Sequence, residues 1–167
     1  MNKNAALGIL KEAKEILDTL GVKFFLSNGT ALGYHRNGDF ISHDQDIDLG
    51  VFIDDWDPNI IEAFVGAGYE AQASGSIDSG LEYSFRKGEK VDIFFYYRDE
   101  DWWHGIYFGD KSAKYIYKPF ELEEVVFSGL RVLCPTKDYL NNEFGYDWIH
   151  PVKEWHWWYS PRNIRYE

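Results

Sequence analysis

Asp44, Asp46 and Asp48 occupy alternate positions in GTALGYHRNGDFISHDQDIDLGV, the stretch from Gly29 to Val51. Residues two apart on a strand point to the same face. Asp46 and Asp48 therefore share a face, while Ile47 and Leu49 pack on the other. Asp92 enters the apolar run VDIFF by the same logic, with Val91 and Ile93 turned away from it. Two carboxylates ~4 Å apart repel by roughly 1 kcal/mol in water and by about 4 kcal/mol at the effective dielectric of a protein surface. In a chain of net charge −11, something must relieve that repulsion. If the strands of Asp48 and Asp92 are neighbours, three carboxylates converge. Such an oxygen-only set suits Mg²⁺ or Mn²⁺ rather than zinc or copper. Bridging phosphate oxygens is the usual use of a metal held this way. Asp44 precedes the strand and reads either as a substrate-side group or as a solvated loop residue.

Gly29-Thr30 sits where a strand should turn into a helix. Free backbone N–H groups and the positive end of the helix dipole make that turn a phosphate site. Arg36 is a second candidate for phosphate, the other reading being an ion pair with a nearby aspartate. The sequence order is Gly-Thr, then Asp-x-Asp about 16 residues on, then a lone Asp on a later strand. It resembles the nucleotidyltransferase superfamily.

Several elements must position these residues. Ala6, Leu10, Ala13, Leu17 and Leu20 form one apolar stripe opposite Lys11, Glu12, Lys14 and Glu15, which predicts a helix ending at Gly21. VKFFLS reads as a short buried strand, Gly29 to about Arg36 as a short helix and DIDLGVFI as a second strand. Asp57-Pro58 predicts a helix start, with an N-cap acceptor followed by proline. YEAQA is a strand candidate, and LEYSFRKGEKVDIFFYY is the clearest hairpin, turning at Lys87-Gly88-Glu89. WWHGIYF and AKYIYK are further strands. VVFSGLRVLCP reads as strand, turn and strand, and TKDYLNNEFG as a helix capped by Thr136 and stopped by Gly145. The tail from Tyr146 has no clean period and reads as irregular. The expectation is a single α+β domain over residues 1–167, a mixed β-sheet with helices packed on one face.

Composition narrows the partners. Aromatic residues reach 19%, with seven Trp, enough for a large core and for pocket walls. The acidic balance argues against a nucleic-acid backbone as partner. The single cysteine, Cys134, leaves no internal disulfide and no Cys-based zinc site. No run approaches the ~20 apolar residues that span a bilayer, and the N-terminal stripe is broken by Lys and Glu, unlike a signal peptide. A cytoplasmic location is expected. EWHWWY could stack a base or a sugar, or pack on the core.

The central block is similar to the LicD/fukutin family. Its pattern is a Gly-Ser/Thr-Leu-Leu-Gly-type turn, an Arg-x-Gly segment and an Ile-Pro-Trp-Asp-Asp-Asp-Ile-Asp-type run. Gly29, Thr30, Leu32, Gly33, Arg36, Gly38, Ile41, Asp44, Asp46, Ile47 and Asp48 match it. VDIFFYY resembles that family's later Val-Asp strand, and Pro119-Phe120 through Asp147-Trp148 its C-terminal part. Ser42-His43 stands where Pro-Trp is usual, and Gln45 replaces an Asp. The expectation is a minimal catalytic core, without the cysteine-rich zinc module and membrane anchor of animal fukutin-type enzymes. The resemblance implies transfer of a phospho-alcohol, phosphocholine or a pentitol phosphate, from a CDP-linked donor to a glycan hydroxyl. It implies Asp46, Asp48 and Asp92 as Mg²⁺ or Mn²⁺ ligands, with Asp92 as base, and Gly29, Thr30, Arg36 and Asp44 on the phosphate side. The rival readings are nucleotidyl transfer from an NTP, which needs the same residues, and a degenerate nucleotide-binding module.

Overall fold

A computed structural model describes residues 1–167. Helix α1 (Lys3–Leu20) is capped by the Asn2 side chain and ends at Gly21 in the left-handed conformation. It buries Ala6, Leu10, Ala13 and Leu17 of the expected stripe, while Leu20, at the last turn, is only half-buried. Strand β1 (Phe25–Leu26) is only two residues long because helix α2 (Asn28–Asn37) begins almost at once. Strand β2 (Asp46–Phe52) follows, then helix α3 (Ile60–Gly66). The Asp57 side chain accepts from the Asn59 N–H at 2.7 Å, so Asp57-Pro58 caps a turn and the α-helix starts later, at Ile60.

Strands β3 (Glu70–Ser76), β4 (Gly80–Lys87) and β5 (Glu89–Arg98) form a meander, and β6 (Trp102–Phe108) and β7 (Lys111–Tyr117) continue it. Strands β8 (Leu122–Phe127) and β9 (Leu130–Pro135) are joined through Ser128 and Gly129, both at positive φ, as a tight hairpin turn between twisted strands requires. Helix α4 (Lys137–Phe144) starts after Thr136, whose hydroxyl makes no capping bond. The tail is turns and coil, except for a three-residue strand β10 (Ile164–Tyr166) that the sequence pattern did not signal.

The strands make one mixed sheet in the order β10-β7-β6-β5-β2-β1-β9-β8, with β4 also on β5 and β3 on β4. β2 and β5 run parallel, and so do β1 and β9. The β2–β5 register places Asp48 opposite Asp92. Ile47, Leu49, Val51, Val91, Ile93 and Phe95 are fully buried on the opposite side of these strands. On that side α1 and α3 pack together, and Phe64 of α3 stacks on Phe85 of β4 at 4.0 Å. Helix α4 meets Tyr96 of β5 from the aspartate side through Tyr139. Gly50 of β2 lets the Phe25 ring cross that side; a Cβ there would fall 2.3 Å from the ring. No helix is long and apolar enough to cross a membrane.

Candidate active site

Alternation on two parallel strands brings the three expected carboxylates together. Each of Asp46, Asp48 and Asp92 offers an oxygen within 4.8 Å of the others. Asp48 and Asp92 are buried, and Asp46 is half-buried. Asp48 is held by the start of α2. The Gly29 N–H donates to Asp48 Oδ2 at 3.0 Å, and the Asp48 N–H donates to Thr30 Oγ1 at 2.9 Å. Gly29 and Thr30 thus grip an aspartate, which places them differently from a bare phosphate cradle. Glycine is needed there because a Cβ at residue 29 would lie 2.5 Å from Asp44 Oδ2 and 3.3 Å from Asp48 Oδ2. The same contacts bring Asp44 into the cluster beside Gly29.

Lys90, not among the residues that the aspartate spacing points to, stands among these carboxylates. Its Nζ lies 2.7 Å from Asp92 Oδ2 and 3.1 Å from Asp46 Oδ2. It is two residues before Asp92 on β5, so the same alternation that orients the aspartates orients it. Glu82 on β4 also faces the group. Its carboxyl is pushed up to about 8, chiefly by burial and then by Asp92, against the pull of Lys90. Burial also raises Asp48 well above the usual carboxylate range, with Asp46, Asp44 and Asp92 adding repulsion. Asp44 is lifted to about 7 by burial and by Asp46. Burial raises Asp92 too, with Lys90 opposing. Burial pulls the Lys90 ammonium down, yet Asp92 and Asp46 outweigh it and hold the charge in place. One ammonium therefore serves five clustered carboxyl groups.

The donor set fits a hard divalent cation. All the donors are carboxylate oxygens, and Asp92 Oδ1 is buried with no hydrogen-bond partner. A buried polar atom left so is costly, and a cation ligand or a substrate proton would satisfy it.

Asp44, Asp46, Asp48 and Lys90 line a cleft of about 780 Å³, walled on the far side by the tail, while Asp92 and Glu82 do not line it. Arg36 lines the cleft, but it ties the tail down. Its Nε donates to the Trp148 carbonyl at 2.7 Å and its Nη2 to that of His150 at 3.2 Å. Neither of the two roles considered for Arg36, phosphate holder or aspartate partner, suggested this one. His43 also lines the cleft, exposed. Behind the cluster, Asn28 sits at φ +39° at the head of α2. Its N–H donates to the Tyr139 hydroxyl at 3.0 Å, and its Oδ1 accepts from Tyr139 at 2.9 Å and from Tyr117 at 3.3 Å. Tyr117 and Tyr139 stack at 4.4 Å. The Tyr117 hydroxyl reaches Glu143 Oε2 at 3.0 Å, and Tyr96 meets Tyr139 at 2.8 Å.

The description of the nucleotidyltransferase domain of LicD/FKTN/FKRP matches residues 21–137. The chain is 38% identical to ribitol-5-phosphate transferase FKTN of Mus musculus, and 37% identical to that of Homo sapiens. Each alignment takes in 98% of this chain and 37% of the relative, so the chain spans little more than a third of their length. Among solved structures, the lincosamide antibiotic adenylyltransferase LnuA superposes at TM-score 0.58 and 15% identity, covering 83% of this chain and 85% of that one. ANT(2″)-Ia does so at 0.51 and 14%, covering 81% and 71%. At such identities these two likenesses show a shared nucleotidyltransferase fold.

Proposed function

The chain belongs to the LicD/FKTN/FKRP nucleotidyltransferase-domain family, and from that premise we propose that it is a metal-dependent transferase. Its reaction would move a phospho-alcohol from a CDP-linked donor to a glycan hydroxyl. The relatives named ribitol-5-phosphate transferases favour a pentitol phosphate over phosphocholine. The observation that carries the reading is the convergence of Asp46, Asp48 and Asp92, with Asp46 and Asp48 opening onto a large cleft.

In this reading the acceptor hydroxyl oxygen attacks the phosphorus that bears the alcohol. The bond from that phosphorus to the bridging oxygen of CMP breaks, and CMP leaves with the bond's electron pair. Asp46, Asp48 and Asp92 would hold Mg²⁺ or Mn²⁺, which supplies charge neutralisation for the diphosphate and the leaving group. Asp92 is our assignment for the base that takes the hydroxyl proton, since its Oδ1 lacks a well-formed hydrogen bond and burial raises its affinity for a proton against the opposing pull of Lys90 and Ser84. Gly29 and Thr30 serve the phosphate side by fixing Asp48 at the head of α2. Asp44 and Arg36 line the same cleft, Arg36 by keeping the tail closed over it.

The test is CMP release from CDP-ribitol and CDP-choline with Mg²⁺, in the presence of candidate glycan acceptors and beside the four common NTPs. CMP should appear from a CDP donor, and Asp48→Asn should lower the rate by at least about a hundredfold, roughly 2.7 kcal/mol of transition-state stabilisation. Pyrophosphate release from an NTP, with no CMP from either CDP donor, would overturn the proposal in favour of nucleotidyl transfer.

A further inference from the structure

Four aromatic side chains in five residues of the tail stay open to solvent. Trp155, Trp157, Trp158 and Tyr159 are 36–57% exposed, in a protein whose Tyr96, Tyr117 and Tyr139 are fully buried. The three indoles line the same cleft as the carboxylate cluster. The segment is not loose. The Tyr115 hydroxyl donates to the Trp157 carbonyl, and the Tyr166 hydroxyl donates to the Trp158 carbonyl. The His156 N–H donates to Ser160 Oγ at 2.9 Å, and the Ser160 N–H donates to the His156 carbonyl at 2.8 Å. The backbone is thus fastened to the body while the rings face outward.

Neighbours fix those rings. Trp155 packs on Phe144 at 4.9 Å and Trp157 on Phe108 at 5.7 Å. Trp157 and Trp158 stand at 88° to each other, 5.3 Å apart, and form a corner of two apolar walls. The indole N–H groups of Trp56, Trp103 and Trp148 donate to Tyr83, Asp99 and Asn141. Those of Trp155, Trp157 and Trp158, like that of Trp102, make no such bond within the protein; on the three tail residues, which line the cleft and are 36–43% exposed, they are open to a ligand. Packing accounts for only part of this: Trp155 and Trp157 each rest against a neighbour, yet all three indoles stay exposed to the cleft, unlike a buried core aromatic.

We propose that Trp155, Trp157 and Trp158 form a saccharide subsite that holds the pyranose acceptor for the carboxylate cluster. The assignment of an acceptor rests on the transferase reading above; the assignment of a saccharide rests on this wall. An aromatic face takes the C–H face of a sugar ring, and free indole N–H groups with Glu154 and His150 take its hydroxyls. A planar nucleobase is held by parallel platforms that stack on its faces, whereas these two indoles stand at 88° to each other. Charge points the same way. The cleft carries six carboxyl groups against three Lys or Arg, which favours an uncharged polyol over a free anion. An exposed, concave aromatic patch of this kind marks a ligand surface.

Saturation-transfer NMR on the full chain tests the proposal, with the methyl pyranosides of glucose, galactose, N-acetylglucosamine and N-acetylgalactosamine as probes and CMP with Mg²⁺ run in parallel. At least one pyranoside should receive saturation at its ring protons. Trp157→Ala and Trp158→Ala should each cut that signal at least fivefold, with CMP binding changed less than twofold. Trp157→Phe should retain most of it, and unchanged melting curves would show that the variants fold. Absence of saturation from all four pyranosides in the unaltered protein would overturn the subsite. Loss of CMP binding in the alanine variants with pyranoside binding intact would overturn it too, making the wall a nucleobase platform. Pyranoside binding that depends on the indoles, alongside no CMP release from CDP donors, would uphold the saccharide subsite and sink the donor assignment alone.

Discussion

At the scale of single residues, the repulsion among crowded aspartates has a specific answer. Lys90 places an ammonium between Asp46 and Asp92, and a divalent cation entering among the same oxygens would compete with it. Like charges ~4 Å apart cost about 4 kcal/mol at an effective dielectric of 20, so Lys90 must swing aside or weaken the cation. Lys90→Gln should therefore melt lower without divalent cation and bind Mn²⁺ at least about tenfold more tightly, some 1.4 kcal/mol. Thermal shift and calorimetric titration with and without Mn²⁺ check both halves, and weaker binding by the variant would contradict the competition. Asp46, Asp48 and Asp92 were legible in the sequence because period-two alternation and a parallel neighbour suffice to bring them together. Lys90 and Glu82 obey the same alternation and could have been read from it. A lysine or glutamate on a strand is ordinarily solvated, and only the registers of β2 and β4 on β5 show that these two face the aspartates.

At the scale of elements, one hydrogen-bonded knot joins α2, α4, β5 and β7 behind the site. Tyr139 and Glu143 lie one turn apart on α4, but Asn28, Tyr96 and Tyr117 share no sequence period with them, and tertiary topology alone brings them in. The knot was therefore invisible beforehand, although each element holding it was expected. The same limit applies to β10: three residues are too few to show alternation, and that strand exists because β7 offers it an edge. Burial lifts the Glu143 carboxyl to about 8, while the Tyr117 and Tyr139 hydroxyls pull it partly back. A carboxyl raised from the ordinary 4.5 contributes stability that is complete below pH 4.5 and is lost as pH rises through 8. Glu143→Gln keeps the polar contacts without the titration. Its melting temperature should fall less than that of the unaltered chain between pH 5 and 8. Glu82 and Asp44, raised to about 8 and about 7, titrate in the same window, so a shallower curve is expected rather than a flat one. Parallel curves for the two proteins would remove Glu143 as a contributor.

At the scale of the whole molecule, the site sits where sheet, helix and tail meet. β2 and β5 supply the carboxylates, α2 orients one of them, and the tail, fastened by Arg36, closes the far wall. This arrangement also governs when the site can exist. Asp48 and Asp92 are forty-four positions apart and face each other only across a parallel strand pair, with α3, β3 and β4 lying between them in the chain. Contacts of such long range carry a loop-closure cost before they return any stability, and parallel pairing is slow for that reason. A cation that needs both strands has nothing to bind until the pair has closed. Stabilisation that arrives after the transition state slows unfolding and leaves folding untouched. Stopped-flow experiments should accordingly show Mn²⁺ lengthening the unfolding half-time several-fold while changing the refolding rate less than twofold. Faster refolding with Mn²⁺ would mean that the two strands meet early, and that the crossover between them is fitted around a nucleus already holding its metal.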